Sequence, residues 1–270
     1  MSKIDSMEFF STCNGLPVHI SDSKKGEKAI ILLHGYLETL YIFEEFTSKL
    51  SEHMRVISID LPGHGLTGST QVNTMSFCAD VVVAVMDKLG IEKALILGHS
   101  MGGYVALEAV KSHPKRFSGL VMMNSSPFPD SEEKKADRER EISVILQNKL
   151  QMIVRKTIPK IFAPTNVVKF EEKILEITET AEVHDPEGIV SSIKGMMQRE
   201  DNREFLRTLK MPLLFFIGKH DGIIGEEGAA EIISIIGTPK VVMLENAGHC
   251  AFIEEPQICS QKLIEFIKEN

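Results

Sequence analysis

Six short runs of apolar residues recur along the chain, and most of them end at a glycine or a polar cluster. They occupy residues 29–33, 55–59, 94–97, 119–123, 213–217 and 240–244. Each run is nearly continuous rather than alternating, which is the pattern of parallel strands covered on both faces. Between the runs, residues 77–89, 101–113 and 258–268 carry apolar side chains at helical spacing. This alternation of strands and helices predicts an α/β domain with a parallel sheet.

The alternation stops over residues 127–208, where no β-rich run appears. A charged stretch at 130–140 is expected to form the solvated face of a helix. Residues 185–187 (DPE) predict a helix start, with a capping side chain, a proline in the first turn and an acid near the positive end of the helix dipole. We therefore predict a core formed by residues 1–126 and 209–270, with residues 127–208 as a helical cap over the strand ends.

Composition narrows the class of partner. The chain has 270 residues and a net charge of −8, whereas binding to a nucleic acid backbone calls for a basic patch. The apolar runs are too short to span a bilayer, and the N-terminus lacks the basic and apolar regions of a signal peptide. We expect a cytoplasmic protein that binds neither nucleic acid nor membrane. The sequence predicts no particular oligomeric state.

A serine lies between glycines after the third run, in the sequence GHSMG at residues 98–102. A sharp strand-to-helix turn there would hold Ser100 in a strained conformation and lift its side chain clear of the sheet. Glycine is needed on both sides because Cβ atoms would collide with the neighbouring strand and helix. A nucleotide-binding loop is the competing interpretation, but the GxGxxG and GK[ST] patterns are missing. Ser100 is therefore the candidate nucleophile.

A serine hydroxyl needs a base, and the base needs a carboxylate to fix its tautomer. His249, in ENAGHC, lies between the last predicted strand and the last predicted helix. Asp221, in GKHD, follows the fifth run by one short loop. The order Ser100, Asp221, His249 is typical of one hydrolase architecture. Glu254 and Glu255 are alternative acids, but we expect them to serve a helix start at the surface.

The first run ends at His34, Gly35 and Tyr36, a loop that lies at the same predicted edge of the sheet. Such a loop can direct the backbone amide of Tyr36 to the point approached by the amide of Met101. Two amide donors of this kind form an oxyanion hole for the developing negative charge.

Five motifs follow one another along the chain: HG-x, D-x-PGHG, GHSMGG, G-x-x-D and GH. In this order they resemble those of the serine-nucleophile, cap-bearing group of the α/β-hydrolase superfamily. The resemblance implies an α/β-hydrolase fold, with a mostly parallel eight-stranded sheet, helices on both faces and a helical cap inserted after strand 6. It also implies that Ser100 is the nucleophile, Asp221 the acid and His249 the base, with backbone oxyanion donors at Tyr36 and Met101. No metal or cofactor is expected.

The predicted function is hydrolysis of an ester or related acyl bond of a small, fairly apolar substrate through an acyl-enzyme. A serine nucleophile disfavours haloalkane dehalogenases and epoxide hydrolases, which use aspartate. The same triad leaves open C–C bond hydrolysis, thioester hydrolysis, elimination and perhydrolysis, and also a small-molecule receptor with slow turnover. The residues expected to line the substrate pocket are His34, His99, Asn124, Phe128, Phe162, Met196, Met197 and Phe252.

Overall fold

The computed structural model describes residues 6–270, and within this range eight strands form one central sheet. They are β1 (Met7–Cys13), β2 (Leu16–Asp22), β3 (Ala29–Leu33), β4 (Arg55–Ile59), β5 (Ala94–His99), β6 (Phe117–Met123), β7 (Leu213–Gly218) and β8 (Val241–Leu244). Their order across the sheet is β1-β2-β4-β3-β5-β6-β7-β8. The pairs β1–β2 and β2–β4 are antiparallel and the other five are parallel. The predicted mostly parallel, eight-stranded sheet is confirmed.

Helices connect the strands and cover both faces of the sheet. In the described range they are α1 (Glu44–Leu50), α2 (Met75–Lys88), α3 (Met101–Ser112), α4 (Glu132–Ile145), α5 (Leu150–Thr157), α6 (Glu171–Glu182), α7 (Pro186–Met197), α8 (Arg203–Thr208), α9 (Gly225–Ile236), α10 (Ala251–Glu254) and α11 (Pro256–Glu269). Strands β3, β5 and β7 are buried along their whole length, which requires a covering layer on each face. None of the helices within residues 6–270 combines the length and apolar character needed to cross a bilayer.

The apolar runs and helical stripes predicted from the sequence coincide with elements of the structure. The six runs form β3 to β8, and the three stripes lie on α2, α3 and α11. The sequence pattern did not indicate β1, because this strand lies at the edge of the sheet and most of its residues are exposed or half-buried. A strand of that kind needs no continuous apolar run.

The parallel pairing brings the carboxyl ends of β3, β5, β6 and β7 to one edge of the sheet. Strand β5 lies between β3 and β6, so that Gly98 pairs with Leu33 on one side and with Met122 on the other. Ligands of open α/β sheets bind at this edge. The turn that follows β5 therefore lies at the centre of the edge where a site is expected.

Five helices, α4 to α8, follow β6, and no strand lies within residues 124–212. The predicted start of α7 is confirmed, since Asp185 caps it by accepting hydrogen bonds from two amides of the first turn. Helix α7 is joined to the rest of the molecule by Asn73, whose Nδ2 donates to Ser192 Oγ at 3.1 Å. The function of residues 127–208 as a cap stays a prediction.

The charged stretch at 130–140 is only partly a solvated helix face. Asp130 and Arg138 are buried, with 6% and 7% of their surface exposed. Arg138 Nε donates to Asp130 Oδ2 at 2.5 Å, and Arg199 Nη1 lies 2.8 Å from Asp130 Oδ1. The prediction is wrong for these two residues because charges can be buried when they are paired, and the second partner, Arg199, lies far along the chain.

Candidate active site

Ser100 occupies the sharp turn between β5 and α3. Its backbone has φ 50° and ψ −116°, a conformation that residues with a side chain rarely adopt. The turn is held on both sides of the peptide, since the Ser100 amide donates to the Met123 carbonyl at 3.1 Å and the Ser100 carbonyl accepts from Ser125 Oγ at 2.7 Å. The structure thus contains the strained strand-to-helix turn that the GHSMG sequence predicts.

Gly98 and Gly102 are required by the space on either side of this turn. A Cβ on Gly98 would lie 2.2 Å from the Gly102 carbonyl oxygen in α3. A Cβ on Gly102 would lie 2.2 Å from the Leu33 carbonyl oxygen at the end of β3. These distances are far inside van der Waals contact, so the predicted collision with strand and helix is confirmed.

Asp221 and His249 meet on two loops at the same edge of the sheet. Asp221 follows β7, His249 follows β8, and His249 Nδ1 lies 2.8 Å from Asp221 Oδ2. The other carboxylate oxygen accepts the amides of Ile223 and Ile224 at 2.9 and 3.1 Å. Because a carboxylate only accepts, His249 Nδ1 carries the hydrogen and Nε2 keeps a free lone pair. His249 Nε2 is buried and has no hydrogen-bond partner among residues 6–270.

The pKa values of the pair shift in opposite directions. Burial alone raises the pKa of Asp221, but the charge of His249 and hydrogen bonds from His249 and Asn124 outweigh burial and lower it to about 2. Burial alone lowers the pKa of His249, but the negative charge of Asp221 outweighs burial and raises it above its usual value. Asp221 is therefore ionised at neutral pH and stabilises a proton on the imidazole.

Asn124, predicted to line the pocket, also supports the carboxylate. It follows β6 with φ 48°, a left-handed conformation that asparagine tolerates. Its Nδ2 donates to Asp221 Oδ2 and to the Gly248 carbonyl, both at 3.0 Å. Asn124 thus ties the loop of the acid to the loop of the histidine. No local motif could indicate this role, because both partners lie far away along the chain.

Glu254 fixes the loop that carries His249. Its carboxylate accepts the Gly248 amide at 2.8 Å, the Ala163 amide at 2.8 Å and Asn166 Nδ2 at 2.7 Å. The side chain is buried. The predicted surface role of Glu254 is wrong, because three donors from two segments, two of them buried, converge on this carboxylate.

The loop after β3 presents the amide of Tyr36 at the same edge. The Glu38 amide donates to the Gly35 carbonyl at 3.4 Å, so Tyr36 is a central residue of a turn that does not use its own amide. Met101 is the first residue of α3, and an amide at that position has no acceptor within its helix. Both amides are therefore available to an anion.

A buried carboxylate that was not predicted from the sequence lies beneath this loop. Glu38 Oε2 accepts the Gly35 amide at 2.6 Å, and Oε1 lies 3.1 Å from His99 Nε2. Burial raises the pKa of Glu38, but the charge and hydrogen bond of His99 outweigh burial and lower it. The negative charge of Glu38 also raises the pKa of His249. Glu38 therefore acts on both the turn that contains Tyr36 and the histidine.

Glu38, His99 and Cys250 are the one grouping of potential metal ligands within residues 6–270, with ligand atoms within 4.8 Å of one another. Glu38 and His99 already bond to each other. Burial raises the pKa of the Cys250 thiol well above its usual value, whereas metals bind the thiolate. These three residues do not fit a metal site.

Ser100 and His249 line a cavity of about 520 Å³, a size that accommodates a small molecule. Tyr36 lines it as well, beside residues contributed by the helices between β6 and β7. The lining is more charged than the fairly apolar pocket predicted from the sequence. Its charged members are Lys134, Arg138, Lys156, Lys160, Arg199, Glu38, Asp130 and Glu141.

The predicted pocket residues divide into two groups. Asn124 and Phe128 line the cavity, whereas His34, His99, Phe162, Met196, Met197 and Phe252 do not. His34 is buried with Nδ1 against the Gly35 carbonyl and Nε2 accepting the Leu61 amide. Of the other five, Met197 is half-buried and the rest are buried. Helical spacing identifies which face is buried but not which buried side chain faces a cavity, so we correct the pocket to Asn124 and Phe128.

Comparison with known proteins agrees with this fold. A family model described as the alpha/beta hydrolase fold matches residues 28–153. A pimeloyl-[acyl-carrier protein] methyl ester esterase of Yersinia enterocolitica is 24% identical over 250 residues, which cover 91% of this chain and 95% of that protein. An enzyme of the same name from Edwardsiella ictaluri is 25% identical over 245 residues, covering 89% and 93% of the two chains.

Solved structures resemble the whole chain. A thermophilic esterase from Thermogutta terrifontis, in its malate-bound form, has a TM-score of 0.90 and 26% identity, covering 97% of this chain and 98% of its own. An enol-lactonase from Burkholderia xenovorans has a TM-score of 0.87 and 22% identity, covering 96% and 100% of the two chains, which supports the fold alone.

A central parallel sheet, a strained serine turn after β5 and an Asp–His pair after β7 and β8 define a hydrolase architecture. Together with the family model matched over residues 28–153, they show that the chain has the α/β-hydrolase fold and resembles members of that superfamily. The protein is a hydrolase.

Proposed function

We propose that the protein is a carboxylic-ester hydrolase in which Ser100 is the nucleophile, His249 the base and Asp221 the acid. One observation carries the proposal: the strained Ser100 and the buried, unpartnered Nε2 of His249 line the same cavity. The opposite nitrogen of His249 is fixed by Asp221 at 2.8 Å. The names of the curated relatives support ester hydrolysis.

In the first half of the reaction, His249 Nε2 takes the proton of the Ser100 hydroxyl while Oγ attacks the ester carbonyl. The imidazolium that forms is stabilised by Asp221, whose pKa of about 2 keeps it ionised. The amides of Tyr36 and Met101 bind the oxyanion of the tetrahedral intermediate. The C–O bond then breaks, and the alcohol leaves with the proton of His249.

In the second half, a water molecule gives its proton to His249 Nε2 and attacks the acyl-enzyme carbonyl. Collapse of the second tetrahedral intermediate returns the proton to Ser100 Oγ and releases the acid. Each step uses side chains and amides that the chain itself supplies. The proposed reaction therefore requires no metal or organic cofactor.

The substrate is proposed to be a small ester of a short alcohol. The curated relatives are named methyl ester esterases, and a small leaving alcohol is carried over from those names. The cavity of about 520 Å³ accommodates a small acyl group beside Ser100.

We further propose that residues 127–208 act as a cap that forms one wall of the substrate cavity. Asp130, Arg138, Lys156 and Arg199 all line the cavity, and all four belong to this segment. The wall facing Ser100 would thus be supplied by helices inserted after β6, whereas the reacting groups come from the sheet edge.

Substitution of the nucleophile tests the proposed function. Ser100→Ala should lose nearly all turnover of a p-nitrophenyl ester, because no other group replaces its attack, and it should keep the melting temperature of the native protein within a few degrees. Ser234→Ala, an exposed serine on α9, is the matched control and should hydrolyse at the native rate. A fluorophosphonate probe should label the native protein once and leave the Ser100 variant unlabelled.

Two results would contradict the proposal. Turnover that survives in the Ser100→Ala variant would remove the serine from the reaction. Hydrolysis that stops after one equivalent of several esters, although the probe labels Ser100, would favour a receptor with slow turnover over an enzyme.

A further inference from the structure

A buried charge cluster in the cavity wall takes no part in the proposed reaction. Asp130 lies between Arg138 and Arg199, and each carboxylate oxygen pairs with one guanidinium. The side chain of Asp130 is 1% exposed and those of the two arginines are 8% exposed. All three residues line the cavity that contains Ser100. Two cations share one anion, so the cluster has an unbalanced positive charge.

Arg199 has the contacts of a structural residue. Its Nε donates to the Phe128 carbonyl at 2.9 Å, and its Nη1 donates to the Met196 carbonyl at 3.0 Å. Its guanidinium carbon lies 4.1 Å from the centre of the Tyr104 ring. Most of the N–H groups of Arg199 therefore contact other residues of the cavity wall and stabilise it.

Arg138 is different, because only its Nε is engaged. That Nε donates to Asp130, and neither Nη of Arg138 has a hydrogen-bond partner among residues 6–270. A guanidinium with both terminal nitrogens free presents donors in a planar fork that matches a carboxylate. A nearly buried arginine in a cavity wall, with both Nη groups unpartnered, can bind an anion in that cavity.

The charges around Arg138 also favour an anionic ligand. Five cationic side chains line the cavity against three carboxylates, an excess of two positive charges in a chain whose net charge is −8. The carboxylates are already engaged: Glu38 by the Gly35 amide, Asp130 by the arginines, and Glu141 by the Tyr36 hydroxyl at 2.6 Å. A cavity whose lining carries an excess of positive charge attracts anionic ligands.

Three of the five cations are lysines without an ion pair. Lys134, Lys156 and Lys160 are exposed residues of the cavity lining, and none of them pairs with a carboxylate among residues 6–270. They extend the positive charge of Arg138 toward solvent. An anionic ligand would therefore be attracted at the entrance before it reaches the buried fork.

The cluster and Ser100 line the same cavity, in which one small molecule can contact both. Tyr104 lies one turn along α3 from Ser100, and a helical turn rises about 5.4 Å. Arg199 stacks on Tyr104 and shares Asp130 with Arg138. The anion site and the proposed nucleophile thus lie in one cavity of about 520 Å³ and are linked by residues that line it.

We propose that Arg138 binds a carboxylate of the substrate, so that the substrate class is the half-ester of a dicarboxylic acid. The inference rests on the proposed ester hydrolysis at Ser100. The ester end reacts there while the free carboxylate accepts from the two Nη groups of Arg138. Water and the half-ester give the dicarboxylate and the alcohol. Arg138 determines specificity and takes no part in bond breaking.

The test compares two substrates of equal length, the monomethyl ester of a straight-chain dicarboxylic acid and the methyl ester of the matching monocarboxylic acid. The native enzyme should prefer the half-ester in kcat/KM by about tenfold to a hundredfold, the range expected for a paired charged hydrogen bond. Arg138→Gln should abolish the preference by raising KM for the half-ester, with kcat unchanged.

Arg140→Gln is the matched control, because Arg140 lies on the same helix, is exposed and, in the described part of the chain, forms an ion pair with Asp137 alone. It should keep the preference for the half-ester. If Arg138→Gln fails to fold, the native enzyme still decides the question, because the free dicarboxylate should then inhibit competitively and more strongly than the monocarboxylate.

Two outcomes would overturn the inference. One is equal kcat/KM of the native enzyme for the two esters, and the other is an Arg138→Gln variant that loses both activities in parallel. If either result is obtained while hydrolysis still depends on Ser100, only the proposed carboxylate site is refuted. Loss of Ser100 dependence would remove the proposed function itself.

Discussion

Replacing Asp221 by asparagine should disable His249 through its tautomer, and the hydrogen bonds of Asp221 show why. Asp221 Oδ1 accepts two fixed backbone amides, from Ile223 and Ile224. Its Oδ2 accepts from the side chains of Asn124 and His249, which can reorient, so the oxygen of an asparagine should stay at the Oδ1 position. The amide nitrogen is then forced to the position of Oδ2, 2.8 Å from His249 Nδ1. Since both cannot donate, His249 must accept at Nδ1 and carry its hydrogen on Nε2. A protonated Nε2 cannot take the proton of Ser100.

The size of the effect follows from that change of tautomer. A neutral base in the wrong tautomer lowers kcat by about 10⁴-fold in the Ser-His-Asp mechanism, which corresponds to a barrier increase of about 5.5 kcal/mol. Stability should fall as well. The pKa of Asp221 is lowered from 3.8 to about 2, a difference worth about 2 kcal/mol at 1.36 kcal/mol for each unit.

The direction of the pKa shift of Asp221 determines the pH range in which this residue stabilises the folded protein. The folded pKa of Asp221 is lower than the unfolded one, so its contribution is fully present above pH 3.8 and is lost as pH falls through about 2. The free energy of unfolding of Asp221→Asn should therefore lie about 2 kcal/mol below that of the native protein at pH 7. The difference should narrow in acid, where the native carboxyl becomes protonated.

The assay is kcat/KM on a p-nitrophenyl ester at pH 7 together with urea denaturation. Asp137→Asn, which replaces an exposed aspartate on α4, is the control and should change neither quantity. Nitrogen NMR of the imidazole should report hydrogen on Nδ1 in the native protein and on Nε2 in the Asp221→Asn variant. An Asp221→Asn enzyme that stays within tenfold of native kcat/KM while remaining folded would refute the reasoning.

Two further predictions concern the turns around Ser100. Glu38→Gln removes a negative charge that raises the pKa of His249, so the acid limb of the pH profile of kcat/KM should move to lower pH, and an unchanged limb would contradict this. Gly102→Ala would place a Cβ 2.2 Å from the Leu33 carbonyl oxygen and should cost about 3 kcal/mol of stability or more. Gly222→Ala, whose Cβ would meet nothing within 4 Å, is the control in thermal denaturation, and equal melting temperatures in the two variants would show that the turn tolerates a side chain.

The parts of the site that could be predicted from the sequence are those encoded by adjacent residues. The strained turn at Ser100 is indicated by its own glycines, which lie within five residues, although the backbone that Gly102 must clear belongs to β3. The positions of Asp221 and His249 follow from strand ends, since parallel strands deliver their carboxyl ends to one edge. Such features can be predicted from the order of the strands and helices and from the residue types of short loops.

The parts that could not be predicted depend on contacts between segments distant along the chain. Asn124 and Glu254 each bond to loops that no local pattern connects with them. Arg138 lies in a charged run, and a charged run by itself indicates a solvated face. Its burial becomes possible only when Asp130 and Arg199 fold together, and a sequence pattern holds no information on that pairing.

The residues that could be predicted from the sequence and those that could not also differ in their proposed roles. The groups proposed to make and break bonds stand on loops at the sheet edge, held by the strands behind them. The group proposed to select the substrate, Arg138, lies on α4 in the segment between β6 and β7. Because these groups are held by different elements, substitutions in that segment should change KM and the preference among esters. Substitutions at the sheet edge should instead change kcat for every ester alike.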